Sequence, residues 1–130
     1  MNKKQELTAW IFQIIAAVIL VPVGMMKFAN GETDIYIFTQ LGMEPFGRYL
    51  IGVLEILSGI LLLSRNLSAC GGVLGIGVMC GAILAHVSAL GFEVMEDGGM
   101  HIWILLIVSL SCLVVVFLRK KQLPLIGNQL

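Results

Sequence analysis

Charge is what this sequence has least of. Only 12% of its 130 residues are Asp, Glu, Lys or Arg, against roughly 25% in soluble globular domains. A water-facing surface of ordinary size cannot be covered with so few charges. The eight basic residues equal the eight acidic ones, so there is no basic excess to neutralise phosphates, and nucleic acid is excluded as a partner. Three cysteines, Cys70, Cys80 and Cys112, lie inside apolar runs and form no C-x-x-C motif. Neither a disulfide framework nor a zinc finger is indicated. There is no P-loop, no G-x-S-x-G and no H-E-x-x-H, which removes the common signatures of phosphate binding, serine hydrolysis and zinc proteolysis.

What fills the chain is apolar: 58% of residues are hydrophobic and the mean hydropathy is +0.99. The natural solvent is lipid. Four apolar stretches are predicted as membrane-spanning helices over about 7–28, 46–64, 67–92 and 101–119, making one membrane domain over 1–130. Spans need about 20 mostly apolar residues. The second and fourth stretches reach that length only by including Arg48 and His101 at their ends. Runs this long, without strict alternation, exclude a transmembrane barrel. The expected fold is therefore all-α: an antiparallel bundle of four transmembrane helices. The first run is read as a retained helix rather than a cleaved signal, since it exceeds a signal peptide's apolar core and no small-x-small site follows it.

Lys3, Lys4, Arg65, Arg119, Lys120 and Lys121 fall on one side of a four-pass arrangement, and Lys27 and Arg48 on the other. The positive-inside rule then places both termini in the cytoplasm. Ile35, Phe38 and Leu41 recur at helical spacing in the first outer loop, which suits either a short interfacial helix or an ordered loop with apolar anchors. The residues after RKK are expected to be a short loose end.

Gly71 and Gly75, and then Gly77, Gly81 and Ala85, recur at four-residue intervals, a pattern that lets helix backbones approach closely in lipid. Packing within the chain and a homo-oligomer or partner-protein face through Gly77, Gly81 and Ala85 are both consistent with it. Gly52 and Gly59 flank Glu55 at helical spacing, so the face they share with Arg48 must look inward.

Ionisable residues within lipid are rare and point to function by default. Glu55 lies seven residues past Arg48, roughly 10 Å below the outer end of its helix at about 1.5 Å per residue. His86 sits at similar depth on the next helix, so the two can meet. Lys27 closes the first helix on that side and His101 opens the fourth. The expected site is thus Lys27, Glu55, His86 and His101, with Arg48 at the rim. Three readings stay open: a hydrogen-bonded network that fixes helix register, a site for a polar head group or proton-coupled ligand, and a metal or haem site using His86 and His101, or these with Glu55 and Glu93. No ligand pair has the i, i+4 spacing of a helical metal motif.

The order of VGMMKFANG, LGMEPFGRYLIGVLEILSGILLL and GIGVMCGAILAHVSALG resembles the DoxX-like family of small bacterial four-helix membrane proteins. The resemblance extends from about Phe12 to Leu118, and Lys27, Glu55 and His86 stand at that family's recognisable polar positions. It implies a four-helix membrane fold and association with membrane oxidoreductases, the family being named for the small subunit of a thiosulfate:quinone oxidoreductase. Quinone is the cofactor or ligand it implies. No catalytic residues transfer with it, and this chain has no outward-facing cysteine pair for thiol chemistry of its own. The function expected is a quinone-linked or redox-associated membrane component, at most a non-autonomous enzyme subunit. Its alternatives are a small transporter or lipid-like ligand-binding protein, and a structural subunit of a larger complex.

Overall fold

The computed structural model describes all 130 residues. Every regular element is helical: α1 (Lys3–Met26), α2 (Glu32–Gln40), α3 (Phe46–Leu62), α4 (Ser68–Ala85), a π-helical turn (His86–Leu90) and α5 (Met100–Arg119). Two short 3-10 turns, Lys120–Gln122 and Gly127–Gln129, follow. α1 begins four residues before the apolar run, because Asn2 and Gln5 form a reciprocal capping box that satisfies its first free N–H groups.

The four long helices pack as a ring, α1 against α3, α3 against α4, α4 against α5, and α5 against α1. Gln13 in the middle of α1 donates to the Leu62 carbonyl at the end of α3 and Lys27 at the end of α1 meets Glu55 nearer the start of α3, so these neighbours are antiparallel. Gln122, just beyond α5, contacts Ser68 and Ala69 at the start of α4, which makes that pair antiparallel too.

α1, α4 continued to Leu90, and α5 continued to Gln122 are long and apolar enough to cross a membrane. At 17 residues, α3 spans about 25 Å, short of a hydrocarbon core of about 30 Å. Its apolar stretch is broken by buried Arg48 and Glu55. Large apolar side chains such as Leu50, Val53, Leu84, Leu110 and Phe117 face outward. Their natural surroundings are lipid tails, where apolar exposure carries no penalty.

Small residues bring the helices together. A Cβ on Gly71 would lie 2.6 Å from the Leu62 backbone nitrogen, and one on Gly75 2.8 Å from Cys112 Sγ. Gly77 and Gly81 meet nothing within 4 Å. The run of glycines is thus two faces rather than one stripe. Gly75 and Gly77, two residues apart, point about 200° from each other around a helix of 3.6 residues per turn. Packing within the chain accounts for the first face only.

The loop between α1 and α3 holds a true helix, α2, with Phe38 buried. The C-terminal tail is not loose: Gln122 Oε1 accepts from Ser68 Oγ and Ala69 N–H, both at 3.0 Å, and its Nε2 donates to the Arg65 carbonyl at 2.8 Å. A side-chain amide can serve donors and acceptors at once, so Gln122 supplies the N-terminal cap that α4 lacks from its own preceding residue, Leu67.

Candidate functional site

Two buried polar clusters occupy opposite ends of the helix ring. The first is built on a close approach of α1 and α3. A Cβ on Gly24 would sit 2.8 Å from the Gly52 carbonyl oxygen, and one on Gly52 2.9 Å from that of Gly24. This contact lets Lys27, one turn beyond Gly24, reach Glu55, one turn beyond Gly52. Lys27 Nζ lies 2.7 Å from Glu55 Oε1, with both side chains more than nine-tenths buried. A carboxylate has about four lone-pair sites over its two oxygens, so this contact leaves Glu55 further acceptor capacity. Asp34 of α2 stands 4.0 Å from the same ammonium, tying the short helix to the pair.

Arg48 completes this end. Its Nε and Nη2 donate to Glu44 at 2.7–3.0 Å, its Nη1 donates to the Lys27 carbonyl, and its guanidinium lies 4.7 Å from the centre of the Tyr49 ring. Hydrogen bonds from the guanidinium hold the Glu44 carboxyl below its usual range. Arg48 therefore does not snorkel outward. It closes the end of α1, whose last carbonyls need donors.

His86 is buried at the start of the π-helical turn but does not pair with Glu55. Its Nδ1 donates to the Ala82 carbonyl one turn back at 3.0 Å, and its Nε2 has no partner. His101 is also drawn elsewhere. Its Nδ1 is 2.5 Å from Asp97 Oδ2, and Asp97 accepts further from the backbone N–H groups of Val94, Gly99 and His101. Hydrogen bonding to His101, with backbone donors added, holds the Asp97 carboxyl well below its ordinary range despite some desolvation. Asp97 is the anionic cap of α5, and His101 belongs to that cap. Of the five expected site residues, Lys27 and Glu55 pair directly, Arg48 joins them through the Lys27 carbonyl, and neither histidine is hydrogen-bonded to them. No group of three or more His, Cys, Asp or Glu side chains converges as a metal site would require.

The second cluster was not evident from the sequence. Gln13, fully buried, donates to the Leu62 carbonyl at 2.7 Å and accepts from Arg119 Nε at 2.9 Å. Arg119 Nη1 reaches Glu6 at 2.9 Å, and the guanidinium lies 5.7 Å from the centre of the Trp10 ring. Arg119 reads as one of three consecutive cations flanking a span, and nothing in that run distinguishes it. The usable signal was Gln13 itself, a polar residue in the middle of an apolar helix.

No protein-family model matches the chain, and no solved structure matches it. It is 30% identical over 84 residues to a protein of Bacillus subtilis (strain 168) named "Putative oxidoreductase CatD". The aligned stretch is 65% of this chain and spans 63% of the length of that relative.

Proposed function

We propose that this chain is a four-span, DoxX-like membrane protein with both termini in the cytoplasm, acting as the quinone-linked component of a membrane oxidoreductase. The observation that carries the reading is the Lys27–Glu55 pair, two opposite charges enclosed among apolar helices, with acceptor capacity left on the Glu55 carboxylate. An ammonium has three donors. Lys27 can hold Glu55 and still donate to a ligand carbonyl, while Glu55 accepts from a hydroxyl. A quinone head group offers a carbonyl when oxidised and a hydroxyl when reduced, which suits this donor and acceptor set. Reduction would bring two electrons from a partner oxidoreductase subunit and two protons, and Glu55 is placed to pass one of the protons. The similarity to a protein named as an oxidoreductase supports the redox association, and the six-to-two distribution of Lys and Arg supports the orientation.

The reading is tested by mass spectrometry of organic extracts from gently purified protein. A quinone at near-stoichiometric amount in wild type, lost in the Lys27→Gln/Glu55→Gln double variant, is the expected result. The double variant leaves no single charge stranded in the interior. No quinone in either protein, with both folded, would remove the tight-binding form of the proposal.

A further inference from the structure

A different part of the molecule carries an inference that does not depend on the Lys27–Glu55 reading. Gln122 fastens the tail after α5 to Arg65, Ser68 and Ala69. The tail then turns back on itself: the Gly127 N–H donates to the Leu123 carbonyl at 2.8 Å, and Gly127 sits so close to the Lys121 carbonyl that a Cβ would not fit. The turn so formed is apolar on its outside. Leu125 is 97% exposed and has φ +71°, a conformation that bulky side chains rarely adopt, and Ile126 beside it is exposed as well. Between this tail and the start of α4 runs an open groove of about 420 Å³, walled by Cys70, Val73 and Leu74 on one side and Leu123, Pro124 and Ile126 on the other.

Placement restricts what can fill it. Leu74 is six residues past Ser68, where α4 begins, so the groove descends about 9 Å from the helix end into the apolar span. The charge around its mouth has one sign. Arg65, whose carbonyl Gln122 holds, and Lys120 and Lys121, which directly precede Gln122, form no ion pair. Glu6, the one acidic side chain at this end of the helix ring, is engaged by Arg119. Arg65 and Lys121 are exposed, and Lys120 Nζ lies 5.2 Å from the centre of the outward-facing Phe117 ring. Long basic side chains at the end of a membrane helix carry their charge to the head-group level, where such clusters attract anionic lipid. We propose that the groove holds one acyl chain of an anionic phospholipid, whose phosphate is met by Arg65, Lys120 and Lys121, with Leu125 set among the neighbouring lipids. A zwitterionic lipid offers the same chain but brings its own cation to a basic mouth.

The test uses the full chain in dodecyl maltoside, with dioleoyl phosphatidylglycerol and dioleoyl phosphatidylcholine as probes. Native mass spectrometry counts the bound lipid, and alkylation by N-ethylmaleimide, mapped by peptide, shows whether Cys70 in the groove wall is covered. Phosphatidylglycerol is expected to exceed phosphatidylcholine in affinity by about tenfold or more, since each Lys or Arg near an anionic surface contributes about fivefold. It should slow modification of Cys70 and leave exposed Cys80 unchanged. Arg65→Gln/Lys120→Gln/Lys121→Gln should bring the affinity for phosphatidylglycerol down to that for phosphatidylcholine. Val73→Trp, which fills the groove and keeps the charges, should weaken both. Equal affinity for the two lipids, a Cys70 rate unmoved at saturating phosphatidylglycerol, or a preference that survives in the triple variant would each overturn the proposal. The Cys70 rate is read in the wild-type protein, so the result stands even where a variant fails to fold.

Discussion

Removing one member of the Lys27–Glu55 pair strands the other's charge inside the protein. Breaking a buried pair in this way costs about 3–5 kcal/mol, whereas replacing both members by neutral groups is often close to neutral. Lys27→Gln and Glu55→Gln should therefore each lower stability sharply, and the double variant should be more stable than either. Denaturant unfolding in detergent, arranged as a double-mutant cycle, measures this, and additive losses would show that the two side chains are not coupled. Asp97 gives a second expectation at this scale. Its carboxyl is held below its ordinary range in the folded protein, so the unfolded chain binds more protons, and stability rises with pH across the carboxylate range. The contribution is fully present at neutral pH and fades as pH falls below about 4, the ordinary Asp value, towards the lower folded value. Acid unfolding followed by circular dichroism should show a shallower decline in Asp97→Asn than in wild type. At the level of single residues, the sequence showed that Glu55 faces inward, because Gly52, Glu55 and Gly59 share a helical face. It did not show the pairing. Depth along the helices favoured His86 as the partner of Glu55, whereas the Gly24–Gly52 contact sets the separation of α1 and α3 and delivers Lys27 instead.

That contact is the element-scale device that makes the Lys27–Glu55 cluster possible. A methyl group at Gly52 would lie 2.8 Å from the Phe28 ring and 2.9 Å from the Gly24 carbonyl oxygen. The ring can rotate away but the backbone cannot, so α1 and α3 must separate. Gly52→Ala is expected to reduce the coupling between Lys27 and Glu55 when the same cycle is repeated in its background. Unchanged coupling would mean that the glycines are not what positions the pair. Helices α1, α4 and α5 were legible as long apolar runs, whereas the recurrence of Ile35, Phe38 and Leu41 left α2 open between a short helix and an ordered loop. The π-helical turn was not, because its residues continue the apolar composition of α4 without a break. The ordered tail was equally hidden. Its order depends on Gln122 meeting Ser68 and Ala69, residues more than fifty positions away in the chain, and no local pattern encodes such a contact.

For the molecule as a whole, polar side chains are gathered inward at two ends and apolar ones are turned outward along the length, the reverse of a water-soluble helical protein. Gln13, Arg119, Glu6 and Trp10 fasten the first and last long helices at one end, and Lys27, Glu55, Arg48 and Asp34 join α1, α2 and α3 at the other. The proposed four-span topology puts the fastened termini in the cytoplasm. Single cysteines placed after Met1 and before Leu130 in a cysteine-free background should then react with a membrane-impermeant maleimide only after the inner membrane is opened. Labelling of either one in intact spheroplasts would contradict the orientation.

The central claim is that the Lys27–Glu55 pair meets the head group of a membrane quinone. The most direct measurement is photolabelling of the full chain in lipid membranes with an azido-quinone, followed by peptide mapping. The account predicts label on the segments around Lys27 and Glu55, displaced by excess unmodified quinone and absent from the Lys27→Gln/Glu55→Gln variant. Label that is not displaced, that falls on other helices, or that persists in the folded double variant would contradict it.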